Sequence, residues 1–255
     1  MNSHWRAAAF ATLTETDPQR KCAGIAALRV GEPASAPSDF DWSRVPGRPQ
    51  RPELIHPRDV PRRSLGSVAG RCALIHAVAH IEFNAMNLAL DAVCRFDGLP
   101  IEFYADWISV AQDEARHFAM LRTRLLALGS DYGEFTAHNG LWEAAEKTAS
   151  DPLVRMALVP RVLEARGLDV SPGIIERLRS IGDSETQEIL EVILAEEVRH
   201  VALGTQWYHR FCAERGIEPA ETFRALLRDH NMRLSPPFNR EARLAAGFEL
   251  AEFQS

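Results

Sequence analysis

The chain has 255 residues, 46% of them apolar and 25% charged, ordinary values for a folded protein that exclude global disorder. That length suits one large domain or two small ones. A formal net charge of −6 excludes a uniformly basic nucleic-acid coat, and no run of about 18 apolar residues marks a membrane-spanning helix.

The opening stretch, Met1 to Phe10, lacks a basic segment followed by an apolar one, so no secretory signal is expected. Cys22, Cys72, Cys94 and Cys212 lie far apart with no Cys-x-x-Cys pair. This pattern argues against a disulfide scaffold, a zinc ribbon or a rubredoxin-type iron centre, and a cytoplasmic location is the expectation. In chain order, two short helices are expected near 3–14 and 17–29. Residues 32–63 then carry Pro33, Pro37, Pro46, Pro49, Pro52, Pro57 and Pro61, which bars regular helix and central strand and predicts an extended arm.

Helix follows helix from there on. A long pattern from Ser64 to Phe96 stops at Asp97-Gly98, and a second runs from Pro100 to Leu128, stopping at Gly129. After a link at 129–138, a third runs from Leu141 to Gly167, re-capped at Asp151-Pro152, and Ser171-Pro172 predicts a separate short helix to Ile181. A fourth long helix runs from Ser184 to Glu214, with weaker helices near 219–230 and 239–253. The fold class is all-α. The expected organisation is an N-terminal arm over 1–63, a four-helix bundle over 64–215 and a helical tail over 216–255.

The chemistry lies in an internal echo. Asp113-Glu114-Ala115-Arg116-His117 and Glu196-Glu197-Val198-Arg199-His200 both contain Glu-x-x-His, which sets carboxylate and imidazole on one helical face. The step along the chain from Glu82 to Glu114 matches that from Glu164 to Glu197 to within a single position, as expected of a duplicated helical hairpin. Glu82 and Glu114 are equally far along the chain from Gly98, hence level in an antiparallel pair. The second hairpin matches if the segment 172–181 continues the axis of the third helix.

Apolar residues share these stripes: Ile75, Ala79 and Met86 beside Glu82, Val110 and Phe118 beside Glu114, Ile193 and Val201 beside Glu197. Four carboxylates among such neighbours need compensating charge, and two divalent cations would supply it. Carboxylate with imidazole suits iron or manganese. The candidate metal ligands are therefore Glu82, Glu114, His117, Glu164, Glu197 and His200. Arg116 and Arg199 are expected to pair with acids away from the ligands, and Asp113 and Glu196 to orient a histidine or sit in solvent. His76, His80 and Tyr208 are read as core residues by default. Pro160, four residues before Glu164, breaks a helical hydrogen bond there.

These motifs resemble the ferritin-like superfamily. The wording is closer still to one bacterial family, domain of unknown function 455, through His76 to Glu82, Asp113 to Phe118, Arg155 to Pro172 and the arm from Pro46 to Arg63. That resemblance implies a ferritin-like four-helix bundle with two metal ions on the same six residues, and supplies no reaction. A more distant likeness to the di-iron tRNA hydroxylase points to oxygen-dependent hydroxylation.

The leading expectation is a dinuclear iron, or manganese–iron, oxidase or monooxygenase acting with dioxygen on a small organic substrate. Iron handling or peroxide scavenging is the alternative, and the lack of Cys-x-x-Cys argues against a built-in rubredoxin donor. An RNA-directed hydroxylase is a further one. Arg44, Arg48, Arg51, Arg58, Arg62, Arg63 and Arg71 stand against Glu53 and Asp59 in the arm, and such arms track phosphates. The simpler expectation pairs these arginines with carboxylates of the bundle. No membrane partner is expected.

Overall fold

A computed structural model describes residues 5–31, 40–61 and 63–253. Pro33, Pro37 and Arg62 of the arm lie outside these described residues. The all-α reading holds: the described residues contain no strand, only one isolated bridge between Leu54 and Ala137. None of their helices is long and apolar enough to cross a membrane. The chain divides into two compact units, Met1–Trp142 and Glu143–Ser255.

The first unit is built on a helical hairpin, α3 (Val68–Arg95) and α4 (Ile101–Ala127), with the short helices α1 (Trp5–Leu13) and α2 (Pro18–Ala27) packed on it. Ser67 caps α3, its hydroxyl accepting the Gly70 amide at 3.0 Å. From Glu82 to Cys94 every residue of α3 is buried, so this helix is the core of the unit. Its last carbonyls have no partner within the helix, and Arg6 of α1 supplies one. The buried guanidinium donates to the carbonyls of Val93, Cys94 and Phe96 and pairs with Asp97.

Other polar groups of α3 are matched in the same way. Asn84 and Asn87 donate to the carbonyls one turn back, and Asn87 Oδ1 accepts the Lys21 ammonium at 2.7 Å. In the arm, two 3₁₀ turns at Trp42–Arg44 and Pro57–Asp59 replace regular helix, as the prolines demand. The arm joins the 129–138 link where Ile55 and Ala137 donate to the carbonyls of Ala137 and Glu53. Two of the arm's arginines, expected to seek carboxylates, lie over aromatic rings: Arg48 over Trp142 and Arg63 over Phe135.

The second unit is another hairpin. Helix α5 (Gly140–Lys147) spans the boundary between units. It is followed by α6 (Pro152–Leu158), a π-helical segment at Val159–Glu164, α7 (Ala165–Ser180) and α8 (Ser184–Arg215). The new start expected at Asp151-Pro152 is present, Asp151 capping α6, whereas the π-helical segment was not expected. Conversely, Ser171-Pro172 starts no helix, because Pro172 lies inside a continuous α7. A proline there deprives the Leu168 carbonyl of its partner four residues on, and the Asn239 side-chain amide replaces it at 3.2 Å. The helix expected over 239–253 shrinks to α10 (Arg240–Ala245) and a 3₁₀ turn at Leu250–Glu252, interrupted at Gly247 with φ 83°. Helix α10 is fixed to α7 by a buried two-pronged ion pair, Arg243 to Asp169, at 2.9 and 2.7 Å. Helix α9 (Pro219–Asp229) completes the unit.

Lys21 gives the fold a pH signature. Burial pushes its ammonium from 10.5 down to about 7, against the pull of Glu15. The unfolded chain keeps that proton up to about 10.5, so between the two values it binds more protons than the folded one. The stability contributed is complete above 10.5 and is lost as pH falls through about 7. Denaturant titrations should show the wild type gaining on Lys21→Met between pH 7 and 10 by on the order of 4 kcal/mol, at about 1.4 per pKa unit. A pH-independent difference would contradict this assignment.

Candidate metal centre

Glu82 lies in the middle of α3, and Glu114 and His117 lie on one face of α4. The two carboxylates are equidistant in sequence from Gly98, whose φ of 69° lets the chain turn between the helices. The hairpin therefore brings them level, as the spacing predicts. All three side chains are sealed from solvent, Glu82 being 3% exposed, Glu114 1% and His117 0%. One ligand atom from each lies within 4.8 Å of the others. His117 Nδ1 stands 3.2 Å from Glu82 Oε2 and 3.5 Å from Glu114 Oε2.

Burial alone would strip the proton from His117. The hydrogen bonds and negative charges of Glu114 and Glu82 outweigh it and push the imidazole up to about 11. Two carboxylates at this depth in an apolar interior are an expensive state unless positive charge is held against them. A divalent ion taking the place of the proton on Nδ1 would relieve it, and the donor set of two carboxylates and one imidazole suits such an ion. These residues fit a metal, and the cluster is one that can hold it.

In the second unit, Glu197 and His200 lie three residues apart on α8. His200 Nδ1 is 3.2 Å from Glu197 Oε1, with the histidine fully buried and the glutamate side chain 14% exposed. Glu164, half-buried, ends the π-helical segment. The midpoint between Glu164 and Glu197 along the chain falls at Ser180-Ile181, where α7 ends. Residues 172–180 thus belong to the same helix as the residues that follow Glu164.

The π segment has an identifiable cause. Pro160 carries no amide hydrogen and cannot continue an α-helical ladder. Its ring is pressed against α8 at Gly204, one turn beyond His200. A Cβ on Gly204 would come within 2.2 Å of Pro160 Cβ and 2.6 Å of its Cγ. Gly204 is thus the position that admits the proline and sets the distance between the segment ending in Glu164 and the helix bearing Glu197 and His200. No sequence signal singled out this glycine, since its partner lies on a different helix, far earlier in the chain.

The polar residues around these motifs have partners of their own. Arg116 bonds Asp113 at 2.9 Å toward solvent, so this pair stands off the ligand face as expected. His76 accepts the Gly133 amide at 2.9 Å, and His80 meets the Tyr132 hydroxyl at 2.9 Å and the His138 carbonyl at 3.2 Å. Burial pushes both imidazoles down to about 4, and both are hydrogen-bonded core histidines. The Tyr208 hydroxyl donates to the Pro219 carbonyl at 2.6 Å, a packing role. Tyr132, wedged against Phe83 and Phe118, is the aromatic lid over residues adjoining Glu82 and His117.

A family model described as protein of unknown function (DUF455) matches residues 6–254, nearly the whole chain. The chain belongs to this family. A Haemophilus influenzae relative, called only "Uncharacterized protein", is 44% identical over 208 residues, 78% of this chain and 72% of its own. No solved structure matches. Family membership agrees with the resemblance read from Asp113 to Phe118 and from Arg155 to Pro172.

Gly204→Ala should cost about 1–3 kcal/mol in a urea unfolding titration, the usual penalty of overpacking. In a Pro160→Gly background, which removes both clashing atoms, most of that penalty should disappear. Additive effects of the two substitutions would show that the contact does not constrain the segment.

Proposed function

We propose that this chain is a dinuclear iron, or manganese–iron, carboxylate protein that uses dioxygen to oxidise an organic substrate. In this reading Glu82, Glu114 and His117 of the first hairpin and Glu164, Glu197 and His200 of the second hold the two ions. On the same reading the hairpins form a ferritin-like four-helix bundle, an arrangement in which two helices each give a Glu and two each give Glu-x-x-His. The observation that supports this most is the sealed Glu82–Glu114–His117 cluster, whose residue types and spacing the second hairpin repeats.

When bound, a pair of reduced irons supplies the electrons that activate dioxygen. The chain's own contribution is to hold, orient and keep dry. Glu114 and His117 project from one face of α4, and hydrogen bonding between imidazole and carboxylates fixes which nitrogen faces inward. Apolar Ile75, Ala79, Met86, Val110 and Phe118, all buried, exclude water around the carboxylates and strengthen every charge interaction there. Asp113 is occupied by Arg116 and so does not compete for the ion.

Loaded with ferrous iron without air, the protein is expected to consume dioxygen on exposure, as followed with an oxygen electrode. Glu114→Ala should reduce the rate by about 100-fold or more, since losing even a supporting partner of a metal ligand costs about 10–100-fold. Undiminished uptake by that variant would refute the assignment. A mineral core in electron micrographs of iron-loaded protein would shift the reading to iron storage.

A further inference from the structure

A second site lies in the C-terminal part of the second unit and uses none of the six candidate ligands. Helix α9 carries two adjacent stripes, Phe223 with Leu227 and Arg224 with Arg228. Together with the loop at 230–238 and the 3₁₀ turn Leu250–Glu252, it encloses a cavity of about 500 Å³, within the range of small-molecule sites. The apolar lining comes from Phe223, Leu227, Met232, Phe238 and Phe253. Three exposed arginines, Arg224, Arg228 and Arg233, stand at the same cavity.

The charges there are unbalanced. Several arginines elsewhere in this unit take carboxylate partners: Arg215 with Asp151, Arg243 with Asp169, Arg210 with Glu214. At the cavity, Arg224 donates only to the Ala220 carbonyl, and Arg228 and Arg233 have no hydrogen bond or ion pair among the described residues. The two carboxylates that line the cavity are already engaged. Glu252 places one oxygen 2.6 Å from buried Arg161 and accepts the Glu249 amide with the other at 2.8 Å. The Glu249 carboxylate accepts the Glu252 amide in return. Like charges four residues apart on a helix repel, and an anion between Arg224 and Arg228 would relieve that repulsion.

We propose that this cavity binds a small amphiphile, its anionic head held by Arg224, Arg228 and Arg233 and its apolar tail among Phe223, Phe238 and Phe253. Guanidinium groups match both carboxylate and phosphate in two-pronged geometry, and the aromatic lining takes an alkyl or prenyl tail. Arg161, from the π-helical segment, connects the site to the rest of the unit, since it packs on Phe223 and grips Glu252.

The test is calorimetric titration of the full chain, metal-stripped and metal-loaded, with dodecanoate, dodecyl phosphate and dodecyltrimethylammonium below their micelle concentrations. Saturable binding of at least one anion with one site per chain is expected, and the tighter of the two identifies the head group. The cation should not bind. The double variant Arg228→Gln/Arg233→Gln should weaken anion binding by about tenfold or more while its melting temperature stays near that of the wild type. Glu114→Ala should leave the anion affinity unchanged, which separates this site from the metal centre. No saturable anion binding, equal binding of the cation, or an unaffected double variant would overturn the proposal.

Discussion

Two carboxylates sealed inside an apolar helical hairpin are the constraint from which the rest of this structure follows. Glu82 and Glu114 have lost nearly all contact with solvent, and the positive group shown against them is His117. Carboxylates at such depth cost several kcal/mol unless positive charge is held against them. The hairpin is nevertheless built around this arrangement. Its helix α3 is buried throughout from Glu82 to Cys94, the carboxylates lie level across a turn of matched length, and Arg6 closes the helix end. A divalent ion held there would turn an expensive cluster into a stabilising one.

The second hairpin solves the same positioning problem with different local chemistry. Its glutamate comes at the end of a π-helical turn rather than from the middle of a straight helix. The turn is produced by a proline and kept in place by a glycine on the facing helix. Beyond it, α7 survives a second proline because Asn239 fills the missing hydrogen bond, and the Arg243–Asp169 pair clamps α10 across the same helix. The irregular C-terminal segment is thus part of what keeps α7 continuous past Pro172. It also carries the cavity beside α9, which joins the same scaffold through Arg161.

Features set by local rules were legible in the sequence. The paired Glu-x-x-His motifs, the matched spacings to the upstream glutamates, the turn at Asp97-Gly98 and the stop at Gly129 each follow from a few neighbouring residues. Features set by partners distant in sequence were not. Pro172 reads as a helix start until Asn239, far along the chain, is known to replace its hydrogen bond. No local pattern marks Arg161, Arg155 and Arg243 as buried, because their guanidinium groups are matched by rings, carbonyls and carboxylates brought from elsewhere. His76 and His80 lie close enough to Glu82 to be taken for ligands, and what decides their role is the loop bearing Tyr132 and Gly133.

Counting metal in the protein purified from cells without chelators, by plasma mass spectrometry against a measured protein concentration, tests the buried carboxylate centre most directly. Two iron ions, or one manganese and one iron, per chain is the predicted result. A fully folded protein that carries none, and takes up none from ferrous or manganous solution under anaerobic conditions, would contradict it.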